Sequence, residues 1–134
     1  MAQILLHEGL RLKPYQDTVG KLTIGVGRNL DDKGISQEEA FHLLENDLIE
    51  VEEQLLASLP WVRDLDEIRL RVLMDMGFNL GVGGLLKFKR TLRMIKQGDY
   101  AGAAGAMLES KWAKQVGNRA KRLSKMMATG EDYS

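Results

Sequence analysis

Three side chains near the start of the chain have types and spacing that suit acid–base chemistry on a sugar–sugar bond. Glu8 ends a short predicted helix, Asp17 enters a predicted hairpin turn, and Thr23 lies on the returning strand. A hairpin folds Asp17 and Thr23 toward each other, and the helix end can present Glu8 across from both. Two carboxylates in different surroundings suit glycoside hydrolysis, because one must donate a proton while the other stays ionised.

The surroundings of the two carboxylates are expected to differ. Apolar neighbours of Glu8, namely Leu5, Leu6 and Leu10, predict partial burial of its carboxyl group, which would favour the protonated form. Asp17 lies in a polar turn, where ionisation is easy. Most carboxylates at helix ends and turns are simply exposed to solvent, so the spacing alone leaves a non-catalytic interpretation open.

The elements that must position these groups can be predicted from the sequence pattern. Residues 2–10 form a short helix that stops at Gly9. Alternating residues over 22–26 predict an antiparallel hairpin whose turn lies near 18–21. Ser36 and Glu39 have the spacing of a capping box, which predicts that a long amphipathic helix begins there and runs to about Leu56.

From about residue 65 onward the pattern is helical. Asp66 can cap a helix that runs through Phe78, and the glycines at 81, 83 and 84 predict a loop. Short helices follow over Leu86–Gln97, Tyr100–Met107 and Lys111–Met127, the last with a break at Gly117. We therefore expect an α+β fold with two lobes in one domain over 1–134. The small lobe covers about 10–35, the long connecting helix about 36–56, and an all-helical lobe about 57–130 together with the N-terminal helix. A cleft between lobes is the expected substrate site.

The composition excludes several kinds of site. The chain has no cysteine, which rules out thiolate nucleophiles, disulfides and zinc–thiolate sites. His7 and His42 have no partner at metal-ligand spacing, and no glycine cluster completes a dinucleotide or phosphate-loop motif. We expect neither a metal nor an organic cofactor.

Charge is unevenly distributed along a chain whose net charge is zero. Residues 31–67 carry twelve acids against two bases, whereas 87–96 and 111–125 carry five and six bases and no acid. The basic C-terminal half favours an anionic polymer as partner, for which nucleic acid, lipid headgroups and bacterial cell wall all qualify. An ordinary solvated helix surface is the alternative. The break at Gly117 argues against a nucleic-acid recognition helix.

The first residues have neither a basic region nor an apolar run long enough for a signal peptide. No stretch approaches the about 20 apolar residues of a membrane span. We expect synthesis in a cytoplasm and no stable membrane insertion, so the protein needs help if its target lies outside the membrane.

The segment from Glu8 to Gly27 resembles the catalytic motif of the phage-type lysozymes (endolysins), glycoside hydrolase family 24. The family's pattern of Glu, eight residues, Asp, five residues and Thr is matched by Glu8, Asp17 and Thr23. Further segments resemble the family in order along nearly the whole chain, and the T-even phage branch is the most similar. These segments lie at 78–81, 92–94, 110–112 and 115–122.

The resemblance implies a lysozyme-like two-lobe fold and hydrolysis of the β-1,4 bond between N-acetylmuramic acid and N-acetylglucosamine in bacterial peptidoglycan. It implies that Glu8 is the general acid, that Asp17 and Thr23 orient the attacking water, and that the anomeric centre is inverted. It also implies that Arg119 hydrogen-bonds Glu8. The implied substrate-binding residues are Leu22, Phe78, Asn79, Gln115 and Arg119.

Other functions remain open at this stage. A lytic transglycosylase, which forms an anhydro sugar without water, typically lacks the Asp and Thr partners. A non-catalytic wall- or nucleic-acid-binding helical module would not need all three residues. The basic C-terminal helix could in addition disturb membranes, although ordinary packing in the lobe is favoured.

One expectation concerns a position where the T-even branch pairs a histidine with an aspartate. The corresponding residues are Arg28 and Asp47, which we expect to form an ion pair between the hairpin and the long helix.

Overall fold

A computed structural model describes residues 1–133 and has the expected α+β fold. The elements follow in the order α1 (Ala2–Glu8), β1 (Arg11–Gln16), β2 (Leu22–Gly25), β3 (Arg28–Asn29), α2 (Gln37–Ser58), a 3-10 helix (Pro60–Asp64), α3 (Glu67–Leu80), α4 (Val82–Leu85), α5 (Lys89–Lys96), α6 (Tyr100–Glu109), α7 (Lys111–Val116) and α8 (Asn118–Thr129). The chain divides into two compact units, Met1–Leu44 and Glu45–Ser134. We call these the first and second units. Our domain boundaries stay a prediction.

The sheet of the first unit has three antiparallel strands in the order β1-β2-β3. Gln16 pairs with Leu22 across the first turn, and Ile24 pairs with Arg28 across the second. The predicted hairpin is therefore confirmed. The third strand was not predicted, because two residues are too few to show an alternating pattern.

Polar contacts from the loop after β3 stabilise the start of the central strand, β2. The backbone N–H of Leu22 donates to Asp31 Oδ2 at 2.6 Å, and its carbonyl accepts from the Leu30 N–H at 2.7 Å. Lys21 Nζ lies 3.2 Å from Asp32 Oδ1. Thr23 is the one buried residue among 1–44. Hydrogen bonds and ion pairs, more than apolar packing, therefore stabilise this unit.

The start of α2 is fixed by the predicted capping box. The Glu39 N–H donates to Ser36 Oγ at 3.1 Å, and the Ser36 N–H donates back to Glu39 Oε1 at 2.9 Å. The same carboxylate oxygen accepts from Arg28 Nη1 at 2.7 Å. Our expectation that Arg28 pairs with Asp47 is therefore wrong, since the capping box already holds Glu39 within reach of β3.

The second unit is built around an apolar core contributed by its helices. Its fully buried large side chains come from α2, the 3-10 helix, and helices α3, α4, α5, α6 and α8. They are Leu55, Val62, Val72, Leu73, Met76, Leu85, Ile95, Met107 and Met127. Asp66 caps α3 by accepting from the Arg69 N–H, as predicted. The predicted break at Gly117 also separates α7 from α8.

Two predicted boundaries in the second unit need correction. Val82–Leu85 forms a helical turn where glycines predicted a loop, because the side chains of Val82 and Leu85 are buried in the core. The next helix begins at Lys89 rather than Leu86. In both cases tertiary burial outweighs the local preference of the sequence.

Arg69 ties the start of α3 to the end of α8. Its Nε donates to the Met127 carbonyl at 2.7 Å and its Nη2 donates to the Ala128 carbonyl at 3.1 Å. The guanidinium also lies over the ring of Tyr100, 3.6 Å from the centroid. These bonds satisfy carbonyls that a helix end leaves without intrahelical partners.

The Arg28–Glu39 pair predicts how the stability of the first unit responds to acid. The hydrogen bond from Arg28, followed by that from the Ser36 backbone, lowers the pKa of Glu39 from 4.5 to about 2. A lowered folded pKa means that the contribution to stability is fully present above the unfolded pKa and is lost as pH falls from about 4.5 toward 2. Glu39→Gln should therefore unfold at a lower temperature than the parent at pH 7, with a difference that shrinks across this window.

Thermal unfolding followed at several pH values checks this expectation. The matched control is Glu38→Gln, the exposed neighbour on the same helix turn. Both side chains of the pair are partly exposed, so solvent screening keeps the effect modest. A gap between parent and Glu39→Gln that stays constant from pH 7 to pH 2 would contradict the assignment.

Candidate functional site

The carboxylate of Asp17 is held by the turn between β1 and β2 through one of its two oxygens. Oδ1 accepts the backbone N–H of Val19 at 2.9 Å and that of Lys21 at 2.8 Å. Within residues 1–133, Oδ2 makes no hydrogen bond. The turn thus fixes the orientation of the carboxylate while leaving one oxygen available to a ligand.

Thr23 is fixed by the backbone of the same turn. Its side chain is buried, and its hydroxyl donates to the Lys21 carbonyl at 2.9 Å. That carbonyl also accepts the Asp17 N–H at 2.8 Å. The backbone of Lys21 therefore contacts both candidate residues, as the hairpin prediction required. Since the hydroxyl hydrogen is committed, the Thr23 oxygen can only accept from a ligand.

Glu8 is the last residue of α1, a helix in which no residue is buried. Its side chain is exposed, as are Leu5, Leu6 and Leu10, so the predicted partial burial of Glu8 is wrong. The helix is too short to bury an apolar side of its own. Among the described residues, the Glu8 carboxylate has no hydrogen-bond or ion-pair partner.

The expected hydrogen bond to Glu8 of the first unit stays a prediction, and within the second unit the partner of Arg119 is Asp75. Its Nε donates to Asp75 Oδ1 at 2.8 Å, and its Nη2 donates to the same oxygen and to the Asp75 carbonyl. Helices α3 and α8 pack together, which brings this carboxylate to Arg119 within the second unit. Asp75 between the buried Val72 and Met76 is a sequence signal for such a partner, because a charge on an apolar helix face needs one.

Asn79 and Phe78, at the end of α3, occupy different surroundings. Asn79 Oδ1 accepts the indole N–H of Trp112 at 2.8 Å, while its amide nitrogen remains a donor for a ligand. Trp112 is buried and packs edge-on against Phe88, with ring centroids 6.1 Å apart. Phe78 is 43% exposed and Leu22 of the first unit is 39% exposed, so both present apolar surface to solvent.

Gln115 lines a cavity of about 530 Å³ within the second unit. Apolar side chains in its wall include Leu80, Phe88 and Trp112. Its charged side chains, which we call the basic rim, are Lys87, Lys89, Arg90 and Lys111, with Glu109 as the one acid. Arg90 lies 3.6 Å from Glu109, whereas the three lysines have no ion-pair partner among residues 1–133. The cavity therefore offers unpaired positive charge beside apolar surface.

The chain is similar in sequence to known proteins over most of its length. The profile of the phage lysozyme family matches residues 6–128. The pre-baseplate central spike protein Gp5 of Enterobacteria phage T4 is 31% identical over 97% of this chain and 28% of its own length. The probable T4-type lysozyme 1 of Dictyostelium discoideum is 32% identical over 92% of this chain and 89% of its own. A SAR-endolysin of Bacteriophage PS119 is 37% identical over 72% of this chain and 58% of its own.

These similarities place the chain in the class of glycoside hydrolases that act on peptidoglycan. Within that class, it belongs to the phage lysozyme family. The chain spans less than a third of the spike protein, so the similarity covers one part of that larger protein. In the part of the chain that the structure describes, no helix has the length and apolar character to span a bilayer.

The two oxygens of Asp17 allow its structural and chemical roles to be separated. Asp17→Asn keeps an oxygen for the Val19 and Lys21 N–H groups, so its unfolding temperature should stay close to that of the parent. Asp17→Ala leaves both donors without that acceptor and should cost about 1–3 kcal/mol of stability. Both variants should lose most wall-cleaving activity, since neither retains a carboxylate.

Denaturant unfolding and the clearing of purified cell walls measure the two effects. Asp17→Asn with parental activity would show that the carboxylate serves the turn alone. An equal loss of stability in both variants would show that the amide oxygen of asparagine does not replace the carboxylate oxygen as acceptor of these two N–H groups.

Proposed function

We propose that the chain hydrolyses the β-1,4 bond between N-acetylmuramic acid and N-acetylglucosamine in bacterial peptidoglycan, with inversion at the anomeric carbon. Glu8 is the general acid, and Asp17 and Thr23 hold the attacking water. The observation that carries the proposal is the hydrogen bonding around Lys21, which leaves Asp17 Oδ2 free and commits the Thr23 hydroxyl hydrogen.

A water molecule held by this pair has a defined orientation. It donates one hydrogen to Asp17 Oδ2 and the other to Thr23 Oγ1, since both oxygens are acceptors. Its lone pair is then directed away from the protein, toward a bound sugar. As the water attacks, its proton passes to Asp17, which acts as the base.

Glu8 supplies the other proton. In the unliganded chain its carboxyl group is exposed, so it is accessible to a bound sugar. The proton goes to the bridging oxygen as the glycosidic bond breaks. Inversion needs room for a water between sugar and base, so we expect the carboxyl groups of Glu8 and Asp17 to lie about 6.5–9.5 Å apart.

A lytic transglycosylase is the nearest rival, because it cleaves the same polymer. Its reaction uses no water, so a buried threonine and a half-bonded aspartate would have no task there. A non-catalytic binding module would not need an exposed carboxyl group opposite such a pair. Mass analysis of the released muropeptides separates the hypotheses, since hydrolysis leaves reducing ends, transglycosylation leaves anhydro ends, and a binding module releases nothing.

Both units contribute binding residues to this proposal. Leu22 and Phe78 offer apolar surface to sugar rings, and Asn79 and Gln115 offer amide groups. Arg119 is held by Asp75 of α3. The basic rim suits the free carboxylates of the peptides that branch from the glycan.

Peptidoglycan is the one partner that the proposal requires. The proposed reaction uses no cofactor, because the proton donor, the base and the nucleophile are two carboxyl groups and water. We further propose that the chain acts as a monomer, and that a bacterial host makes it in the cytoplasm before it reaches the wall.

Glu8→Gln tests the role of the general acid. The amide cannot donate a proton to the leaving oxygen, so activity should fall by at least about 10²–10⁴-fold while the unfolding temperature stays parental. The measurement is release of reducing ends from purified sacculi. Glu38→Gln, an exposed carboxylate in the same unit, serves as the control and should retain full activity. Parental activity in folded Glu8→Gln would refute the assignment.

Thr23→Val tests the water-holding role of the hydroxyl. Valine keeps the shape of threonine but has no oxygen, whereas Thr23→Ser keeps the oxygen and loses a methyl group from a buried site. We expect kcat to fall more than tenfold in the valine variant and less in the serine variant, with KM changed little in both. Steady-state kinetics on soluble wall fragments gives both constants. The opposite ranking would mean that packing, not the hydroxyl, matters.

The basic rim predicts a preference for substrates that carry peptides. Replacing Lys87, Lys89 and Lys111 with Gln removes three unpaired charges, each worth up to about 1 kcal/mol at an exposed site, and should raise KM by roughly tenfold. The loss should appear with peptide-bearing wall fragments and be absent with glycan chains stripped of peptides. Lys96→Gln, a basic residue of α5 outside the cavity wall, is the control. An equal loss on both substrates would argue against peptide recognition.

A further inference from the structure

The turn between β2 and β3 brings Gly27 against the carboxyl group of Glu8. A methyl carbon built on Gly27 would lie 2.5 Å from Glu8 Oε2, 2.9 Å from its Cδ and 3.3 Å from its Cγ. Separations this small are not tolerated between non-bonded heavy atoms, so the Glu8 carboxyl group occupies the space that any other residue at 27 would fill. The contact joins α1 to the turn that follows the candidate water-holding pair.

A nearby glycine, Gly25 at the end of β2, shows that a positive φ does not by itself bring a position against Glu8. Gly25 and Gly27 have nearly identical backbone angles, with φ of +71° and +72°. A side chain at either position would therefore suffer similar backbone strain. A methyl carbon built on Gly25 meets nothing within 4 Å. Gly25 pairs with Arg11 in the sheet and Gly27 lies in a turn, but of the two only Gly27 is against Glu8.

We propose that Gly27 is a positioning residue for Glu8, and that its missing side chain forms the seat of the acid's carboxyl group. The proposal rests on the proposed function of Glu8 as general acid. Glu8 lies on an exposed helix, and its carboxylate has no hydrogen-bond or ion-pair partner within residues 1–133. Contact with the backbone of Gly27 is therefore what defines the place of the carboxyl group before substrate binds.

This seat should matter more to catalysis than to folding. The group that a methyl at 27 would displace is the end of a flexible side chain, which can rotate away at little cost to stability. A proton donor displaced by about 1 Å, however, can lose about 10²-fold in rate. Gly27→Ala and Gly25→Ala should consequently share the effect of backbone strain. Only Gly27→Ala should displace the Glu8 carboxyl group.

The experiment compares these two variants in full-length protein. Both should unfold at similarly lowered temperatures. On soluble wall fragments, Gly27→Ala should have a kcat about 10²-fold below that of Gly25→Ala, with KM values within about twofold of each other. The fall of kcat on the alkaline side of the pH profile, which reports the proton donor, should shift in Gly27→Ala and stay parental in Gly25→Ala.

A second readout tests the seat independently of the reaction. With the Glu8 carboxyl carbon labelled by ¹³C, its chemical shift should move in Gly27→Ala and not in Gly25→Ala. If Glu8→Gln proves fully active but this shift moves as expected, the proposed function fails while the contact stands. A shift that does not move overturns the seat, whatever the kinetics show.

Equal losses of kcat in the two alanine variants, or a change confined to KM, would also overturn the proposal. Should either alanine variant fail to fold, Gly27→Asn and Gly25→Asn replace the pair, since asparagine adopts a positive φ more readily than alanine. The same ratio of kcat values is expected between them, and equal values would overturn the proposal.

Discussion

The backbone of one residue, Lys21, connects the groups on which the candidate site depends. Its N–H donates to Asp17 Oδ1, and its carbonyl accepts from the Asp17 N–H and the Thr23 hydroxyl. None of these contacts involves the Lys21 side chain. The turn therefore sets the position of both water-holding groups through peptide atoms that any residue would supply, while the identity of Asp17 and Thr23 supplies the chemistry.

That arrangement also decides the directions in which protons can move. A threonine whose hydrogen is committed to a carbonyl can only accept, and a carboxylate with one oxygen committed to two N–H groups keeps a single acceptor free. A water between them must donate both hydrogens and offer its lone pair outward. The hydrogen-bond pattern of the turn thus supports the proposed hydrolysis over transfer to an internal hydroxyl.

The sequence predicted contacts between residues that are close together in the chain, and it did not predict contacts between residues that are far apart. The capping box at Ser36 and the β1–β2 hairpin follow from residues close together in the chain, so spacing alone reveals them. The partners of Arg28 and Arg119 could not be predicted that way. Their partners, Glu39 and Asp75, lie 11 and 44 residues away in the chain, so local spacing does not reveal them.

The same limit applies to the surroundings of Glu8. Apolar neighbours in sequence predicted burial, but a single turn or two of helix cannot cover its own side chains, and α1 is exposed throughout. What lies beside the Glu8 carboxyl group is a glycine nineteen residues away in the chain, a contact that no helical periodicity encodes. The sequence shows that position 27 is a glycine, and the structure shows that the Glu8 carboxyl group occupies the space of a side chain there.

The two units differ in how they achieve order, and this difference bears on catalysis. The second unit has a core of fully buried apolar side chains, whereas among residues 1–44 Thr23 alone is buried. A unit held by turns, caps and ion pairs has few apolar contacts to resist local opening, so its structure opens at lower free energy than a packed core. The three proposed catalytic groups all lie in that first unit. The geometry of Asp17 and Thr23 therefore depends on directional hydrogen bonds, which fix angles as well as distances, as the proposed water-holding pair requires.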